Sequence, residues 1–330
     1  MNTNKKTKVT YFFRKPQAQY HSIERVFDLI IQNLPEVIEP YIYKLKSGNR
    51  GIIPRIKAFF EVRKNRGTIN HITGDISYVA LALPKKGLII TFHDLESLKR
   101  SNKIANIILR WFWIKIPAQK AEIVTVISNH TKEKVIKWTG ISENKIFVIP
   151  NPLPAEYKYS PKPFNNTEPA ILAMGTKYNK NLEGTIKAIS DIKCKLILIG
   201  QPDENQLSLL KENNIKYENI IKASDEQILD TYIGCDILCF PSFFEGFGMP
   251  IIEAQAIGRP VITSNIGAMK EVAGEGAYFV NPESAEDIRE AINSIIVDTP
   301  KRQKIIDLGL ENIKEYNSKK IAKKYCSIYN

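Results

Sequence analysis

Two runs of strand–helix alternation, parted by a proline-rich stretch, constrain this chain more than any single motif does. In the first run, short apolar or β-branched segments stand at 8–13 (KVTYFF), 87–94 (GLIITFHD), 122–128 (EIVTVIS) and 145–151 (KIFVIPN). Helical patterns occupy 22–36, 101–121 and 129–140. Such alternation implies a parallel sheet with right-handed crossovers. Residues 149–170 then hold six prolines and almost no periodic apolar pattern, which marks a linker or domain boundary. The alternation restarts with strands at 170–175, 194–200, 236–242 and 260–265, and the chain is helical from 285 onward. The expected fold is α/β, with two facing Rossmann-like domains, each on a parallel sheet, and a cleft between them. The expected boundaries are 1–152, a linker over 153–168, and 169–311, with a C-terminal helix near 312–330 packing back on the first domain.

Composition narrows the class. At 330 residues the chain can bury two cores. No run approaches the roughly 18–20 apolar residues that span a bilayer, and the first residues, MNTNKKTKVTYFF, carry no signal-peptide core. The expected location is the cytoplasm. Cys194, Cys235, Cys239 and Cys326 form no CxxC pair, so they read as buried, reduced thiols. The net charge of +12 is uneven: residues 1–150 hold 26 Lys/Arg against 11 Asp/Glu. Such a half suits an anionic partner (a phosphorylated acceptor, an acidic lipid headgroup or nucleic acid) or is simply a lysine-rich surface.

In open α/β sheets, ligands sit beyond the carboxyl ends of the strands, where helix N-termini aim N–H groups at anions. After the strand ending at Gly175 come Lys177 and Lys180, then a helix. Lysines there oppose the helix macrodipole, a conflict that a bound diphosphate resolves. In FPSFFEGFGMPIIEAQAIG (240–258), Gly246 and Gly248 allow close backbone approach, and Pro250 suits a first helical turn. Glu245 lies in the loop and Glu253 one turn into the helix. A carboxylate accepts two hydrogen bonds and donates none, so each suits a pair of sugar hydroxyls. A helix-start glutamate and a solvated loop glutamate are the alternative.

EGFGMPIIE (245–253) resembles the ExFGxPxxE signature of the retaining glycosyltransferases of family 4, also called glycosyltransferase group 1, which have the GT-B fold. GTKYNKN (175–181) is similar to the family's diphosphate site, and GRPVITSNIGAMKEVAG (258–274) to the segment after the signature. HITGD (71–75), TFHD (91–94) and VISNHTK (126–132) have counterparts in bacterial members. The resemblance covers essentially the whole chain, most strongly 168–282.

The resemblance implies that Glu253 binds the nucleotide ribose and Glu245 the 3-hydroxyl region of the donor sugar. It places the N–H groups of Phe247, Gly248 and Met249 near sugar and phosphate, and Lys180, with Lys177, on the departing diphosphate beside Gly175. His93 would meet the donor's 6-hydroxyl. Catalytic roles thus fall to Glu245, His93 and Lys180. Two features depart from the family pattern. RKPQAQYHSIE (14–24) stands where members often carry a Gly-rich loop, which leaves phosphate contact from that side open. The usual upstream arginine is absent; Lys177 is the candidate in its place, a point charge without the bidentate fork.

The implied activity is a metal-independent hexosyl transfer from a UDP-, GDP- or dTDP-sugar to a glycan or lipid-linked acceptor in capsule, O-antigen or exopolysaccharide synthesis. No cofactor and no metal are implied: the chain has neither an Asp-x-Asp motif nor metal-ligand spacing. If the acceptor is lipid-linked, the basic first half is expected to face an anionic inner membrane surface, through Lys85, Lys86, Lys99 and Arg100 with the aromatic segment near Trp111. Competing readings are a GT-B-like sugar-nucleotide epimerase and a basic nucleic-acid-binding protein; the latter lacks an aromatic stacking platform. His71 with Asp75 reads as an acceptor-side pair or as a turn-capping pair.

Overall fold

The computed structural model describes residues 6–16, 22–48, 51–95, 107 and 110–329. It divides into two compact units, one made of 1–152 and 317–330, the other of 153–316.

The first unit holds strands β1 (Thr7–Phe13), β2 (Ile38–Lys44), β3 (Ile69–Ile72), β4 (Leu88–Phe92), β5 (Ile123–Val126) and β6 (Ile146–Val148). All pair in parallel in the order β2-β1-β3-β4-β5-β6. Helices α1 (Ser22–Gln32), α2 (Ile52–Lys64), α3 (Ile116–Lys120) and α4 (Asn129–Thr139) connect them. One core joins Val9, Tyr11 and Phe13 of β1 to Phe27 and Ile30 of α1. The last helix of the chain (Ser318–Tyr329) completes that core with Ile321, Tyr325 and Tyr329. These three recur at helical spacing on one face, and burying each is worth roughly 1.5–3 kcal/mol, which is why the chain's end belongs to the first unit. The opposite sheet face packs Ala58 and Val62 of α2 with Ile114, Ala118 and Val135.

The second unit holds β7 (Ala170–Met174), β8 (Lys195–Ile199), β9 (Tyr217–Ile220), β10 (Ile237–Phe240), β11 (Val261–Ser264) and β12 (Tyr278–Val280), in the parallel order β12-β11-β10-β7-β8-β9. Its helices are α5 (Leu182–Ile189), α6 (Glu204–Glu212), α7 (Asp225–Gly234), α8 (Met249–Ile257), α9 (Gly267–Ala273), α10 (Ala285–Val297) and α11 (Thr299–Asn312); the C-terminal helix is α12. α6 and α7 open with capping boxes, Asp203–Gln206 and Ser224–Gln227, which satisfy first-turn N–H groups.

Strands β2, β3, β9 and β12 escape a reading from periodicity. Three of them have only three or four residues, and β2 is an edge strand that tolerates Pro40. The helical pattern over 101–121 resolves, within the described residues, into a π-helical stretch at Trp111–Lys115 followed by α3.

Candidate functional site

In each sheet, one gap between neighbouring strands is the place where successive connections turn opposite ways. In the second sheet it lies between β7 and β10, and loops leaving a sheet at such a switch point form a crevice. The loops after these two strands are 175–181 and 241–248. Gly175 has φ +91°, and a Cβ there would sit 3.1 Å from Cγ and 3.3 Å from Cε of Lys180. The aliphatic stem of Lys180 therefore lies across the bare glycine. Its ammonium ends 4.7 Å from the centre of the Phe240 ring and 2.7 Å from Oε1 of Glu245. The side chains are 22% and 14% exposed, so the pair is shielded but reachable. The sequence assigned these two groups to different parts of a ligand; the structure joins them in one ion pair.

Asn179 reinforces this junction. Its Nδ2 donates to Oε1 of Glu245 (3.2 Å) and to the Phe244 carbonyl (3.1 Å), while its own carbonyl accepts from Phe243 N–H at 2.8 Å. Asn181, two residues on, ties the same loop to the start of the 241–248 loop. Held at φ +55°, it caps α5 by accepting from Gly184 N–H, and its Nδ2 donates to the carbonyls of Pro241 and Pro282. Asparagine is among the few residues that accept that backbone cheaply. Lys177 starts the same turn but is exposed, and the Glu245 carboxylate pairs with Lys180 and Asn179 instead.

Gly248, at φ +109°, opens α8, with Pro250 in its first turn. Met249 N–H belongs to that first turn; Pro250 has no N–H, and Ile251 N–H donates to the Gly248 carbonyl at 3.0 Å. Phe247 is buried edge-on against Tyr316. Glu253, one turn in, is partly buried and accepts at Oε2 from the Tyr232 hydroxyl at 2.8 Å. Burial first, and then the Glu253 carboxylate, push that hydroxyl well above its usual pKa, so it stays a donor. Tyr232 is itself locked: Arg259, buried, donates to its carbonyl from Nε, and the Tyr157 ring packs against it.

In the first sheet the switch lies between β1 and β3. Arg14, just past β1, grips Glu24 with Nε and Nη2 (2.8 and 3.1 Å) and Asp75, past β3, with Nη1 (2.8 Å). His93 follows β4, half-buried against Phe27. Its Nε2 lies 2.8 Å from the Thr73 carbonyl, which makes Nε2 the protonated nitrogen. Burial lowers its pKa, favouring the neutral ring. Of the loop 14–24, residues 17–21 fall outside the described residues, as do His21, Lys99 and Arg100.

His71 is neither acceptor-side nor a turn cap. It lies in the core of β3, with Nδ1 2.7 Å from Tyr329 Oη and Nε2 2.7 Å from Thr91 Oγ1, and burial drives its pKa down to about 3. Asp75 pairs with Arg14 instead. The four cysteines are buried and free, and burial raises the Cys235 and Cys239 thiols to about 12.

Residues 6–157 match Glycosyltransferase Family 4, and residues 158–311 match Glycosyl transferases group 1. The chain belongs to glycosyltransferase family 4. The O-antigen chain mannosyltransferase RfbU of Salmonella typhimurium is 28% identical over 214 residues, 62% of this chain and 60% of that protein. The serotype-specific mannosyltransferase WbdA of Escherichia coli is 29% identical over 234 residues, 61% of this chain and 28% of that protein. The chain thus spans less than two thirds of either relative. Anabaena HepE, solved in complex with UDP and glucose, superposes with a TM-score of 0.74 at 16% identity, over 98% of this chain and 99% of that one. That likeness is one of fold, and the fold of this family 4 chain is GT-B.

The sequence reading missed Asn179, Asn181 and Tyr232. Asn181 carried a signal, an asparagine directly before an apolar helical run. Tyr232 carried none, since it sits in an ordinary amphipathic helix.

Proposed function

We propose that this family 4 chain moves a sugar from a nucleoside-diphosphate donor to a hydroxyl of a glycan or lipid-linked acceptor, retaining anomeric configuration, in bacterial surface-polysaccharide synthesis. The observation that carries the reading is the Lys180–Glu245 pair, lying over Gly175 at the β7/β10 switch point beside the N-terminus of α8. Cleavage of the bond between the anomeric carbon and the diphosphate oxygen leaves negative charge on that oxygen. Lys180 and the Met249 N–H at the start of α8 are fixed donors for that charge, and such preorganised groups lower barriers by about 3–4 kcal/mol each when aimed at it. The acceptor oxygen bonds to the anomeric carbon from the face the diphosphate leaves, and its proton passes to the departing phosphate oxygen. Glu245 holds donor hydroxyls, Glu253 the ribose, and His93 the 6-hydroxyl, as the family resemblance implies. Lys177, exposed at the rim of its loop, serves the phosphates as a mobile charge.

A mannosyl donor is the first to test, because RfbU and WbdA are named mannosyltransferases; UDP-glucose is the second, because of the HepE complex. Among the described residues no helix is long and apolar enough to cross a membrane. The reading places the enzyme in the cytoplasm, at the inner membrane face when the acceptor is lipid-linked. The experiment is a screen of UDP-, GDP- and dTDP-sugars for acceptor-free hydrolysis, with and without EDTA. Turnover of one donor that persists in EDTA is expected; turnover of none refutes the reading, and loss in EDTA restored by manganese refutes the lysine-based leaving-group chemistry.

A further inference from the structure

Helix α2 is apolar on two sides. Ala58 and Val62 are buried in the first unit's core, yet Ile52, Ile53, Ile56 and Phe60 are 74%, 68%, 48% and 67% exposed. At roughly 100° per residue these four fall within an arc of about 100°, turned away from Ala58 and Val62. Lys57, Arg63 and Lys64, all exposed, lie within or beside the same arc. The helix has a single acid, Glu61, and it is engaged elsewhere, accepting from the main-chain N–H groups of Lys46 and Ser47. Arg55 stacks on Trp113 at 4.4 Å and so ties α2 to the π-helical stretch. That stretch carries two further exposed aromatics, Trp111 and Phe112, with the Lys115 ammonium 4.4 Å from the Trp111 ring centre.

Among the described residues nothing accounts for four exposed large apolar side chains on one helix, and clustered exposure of this kind marks an interaction surface. The charge decides what kind. A face that mixes isoleucine and phenylalanine with lysine and arginine, and offers no acid, complements a surface that is apolar beneath and negative above. We propose that α2, with the adjoining 110–115 stretch, is the element by which the first unit docks in the plane of an anionic lipid bilayer. The apolar side chains enter the acyl boundary while the Lys and Arg stems extend their charges to the headgroup phosphates. This deepens the lipid-linked-acceptor reading and rests on it for its purpose. It also moves the contact from Lys85 and Lys86 to α2.

The test is cosedimentation of the full chain with phosphatidylcholine vesicles, with and without phosphatidylglycerol, at low and physiological salt. The wild type binds only the anionic vesicles. Ile53→Ser with Phe60→Ser loses about tenfold or more in vesicle affinity, and Lys57→Gln with Lys64→Gln loses a similar factor, larger at low salt. Lys85→Gln with Lys86→Gln, which lie outside α2 and the 110–115 stretch, stays within about threefold. The substituted side chains are exposed, so the variants keep the wild-type melting curve and donor hydrolysis. Absence of wild-type binding overturns the proposal, as does binding that survives both α2 double variants. So does self-association in sedimentation velocity that Ile53→Ser with Phe60→Ser abolishes without any vesicle binding, which would assign the face to a second copy. Docking needs no donor, so a failed donor screen with intact docking refutes the proposed reaction and leaves the docking surface standing.

Discussion

Tyr232→Phe isolates the Tyr232–Glu253 contact. The substitution removes one oxygen from a fully buried ring and leaves the packing against Tyr157 and Arg259 in place. What is lost is a 2.8 Å hydrogen bond to a carboxylate. Bonds to charged groups contribute about 1.5–3 kcal/mol. Part returns in the variant, because phenylalanine has no buried hydroxyl to satisfy. The remaining loss falls on Glu253, which keeps its charge but loses one donor that holds its rotamer. If Glu253 binds the ribose, nucleoside diphosphate affinity drops about tenfold, the equivalent of about 1.4 kcal/mol. The donor KM rises by a similar factor and kcat stays within about threefold, since the hydroxyl acts through Glu253 and touches no reacting atom. Calorimetry with the nucleoside diphosphate, paired with steady-state kinetics, reads both. Glu253→Ala sets the upper limit of the affinity loss, and if Glu245 binds the sugar, Glu245→Ala lowers kcat with affinity preserved. Unchanged affinity in Tyr232→Phe beside a clear loss in Glu253→Ala would refute the positioning argument. A fall in kcat with unchanged KM would refute the assignment of Glu253 to the nucleotide.

Gly175→Ala forces a Cβ into a backbone at φ +91° and against the Lys180 stem, so it destabilises the protein by about 1–2 kcal/mol and lowers kcat by displacing the ammonium; a melting curve and donor hydrolysis check both, and wild-type turnover would mean that Lys180 works from another position. Asn179→Ala deprives Glu245 of its second donor and the Phe244 carbonyl of its side-chain donor, lowering kcat about tenfold with little change in nucleoside diphosphate affinity, as read by calorimetry with the nucleoside diphosphate and steady-state kinetics. His71 is buried neutral with its pKa lowered to about 3, while the unfolded chain binds a proton near 6.5. Its contribution is therefore complete above about pH 6.5 and is lost as pH falls toward 3, with a limiting slope of about 1.4 kcal/mol per pH unit. Urea unfolding from pH 7 to pH 4 should show that loss, and a His71→Gln variant that folds should show a shallower one.

How far the sequence reaches depends on the range of the interaction. Strand and helix periodicity, the capping boxes at Asp203 and Ser224, and the glycine–proline opening of α8 are local signals. Each is set by φ/ψ preferences and hydrogen bonds within a few residues, so the α/β class and two parallel sheets were legible from one string. The motif residues Lys180, Glu245 and Glu253 were also legible by type, because their chemistry shows in the side chain. Their partners were not. Lys180 meets Glu245 across 65 positions, Tyr232 meets Glu253 across 21, and His71 meets Tyr329 across 258. Those encounters follow from which strands become neighbours and how the last helix folds home. Strand order also put the loops after β7 and β10 side by side, and burial turned His71 from a plausible acceptor-side group into a neutral core residue. A carboxylate or an imidazole has the same formula wherever it lies in the chain; its charge, its rotamer and its role are set by the desolvation and the donors around it, and only the tertiary structure supplies those.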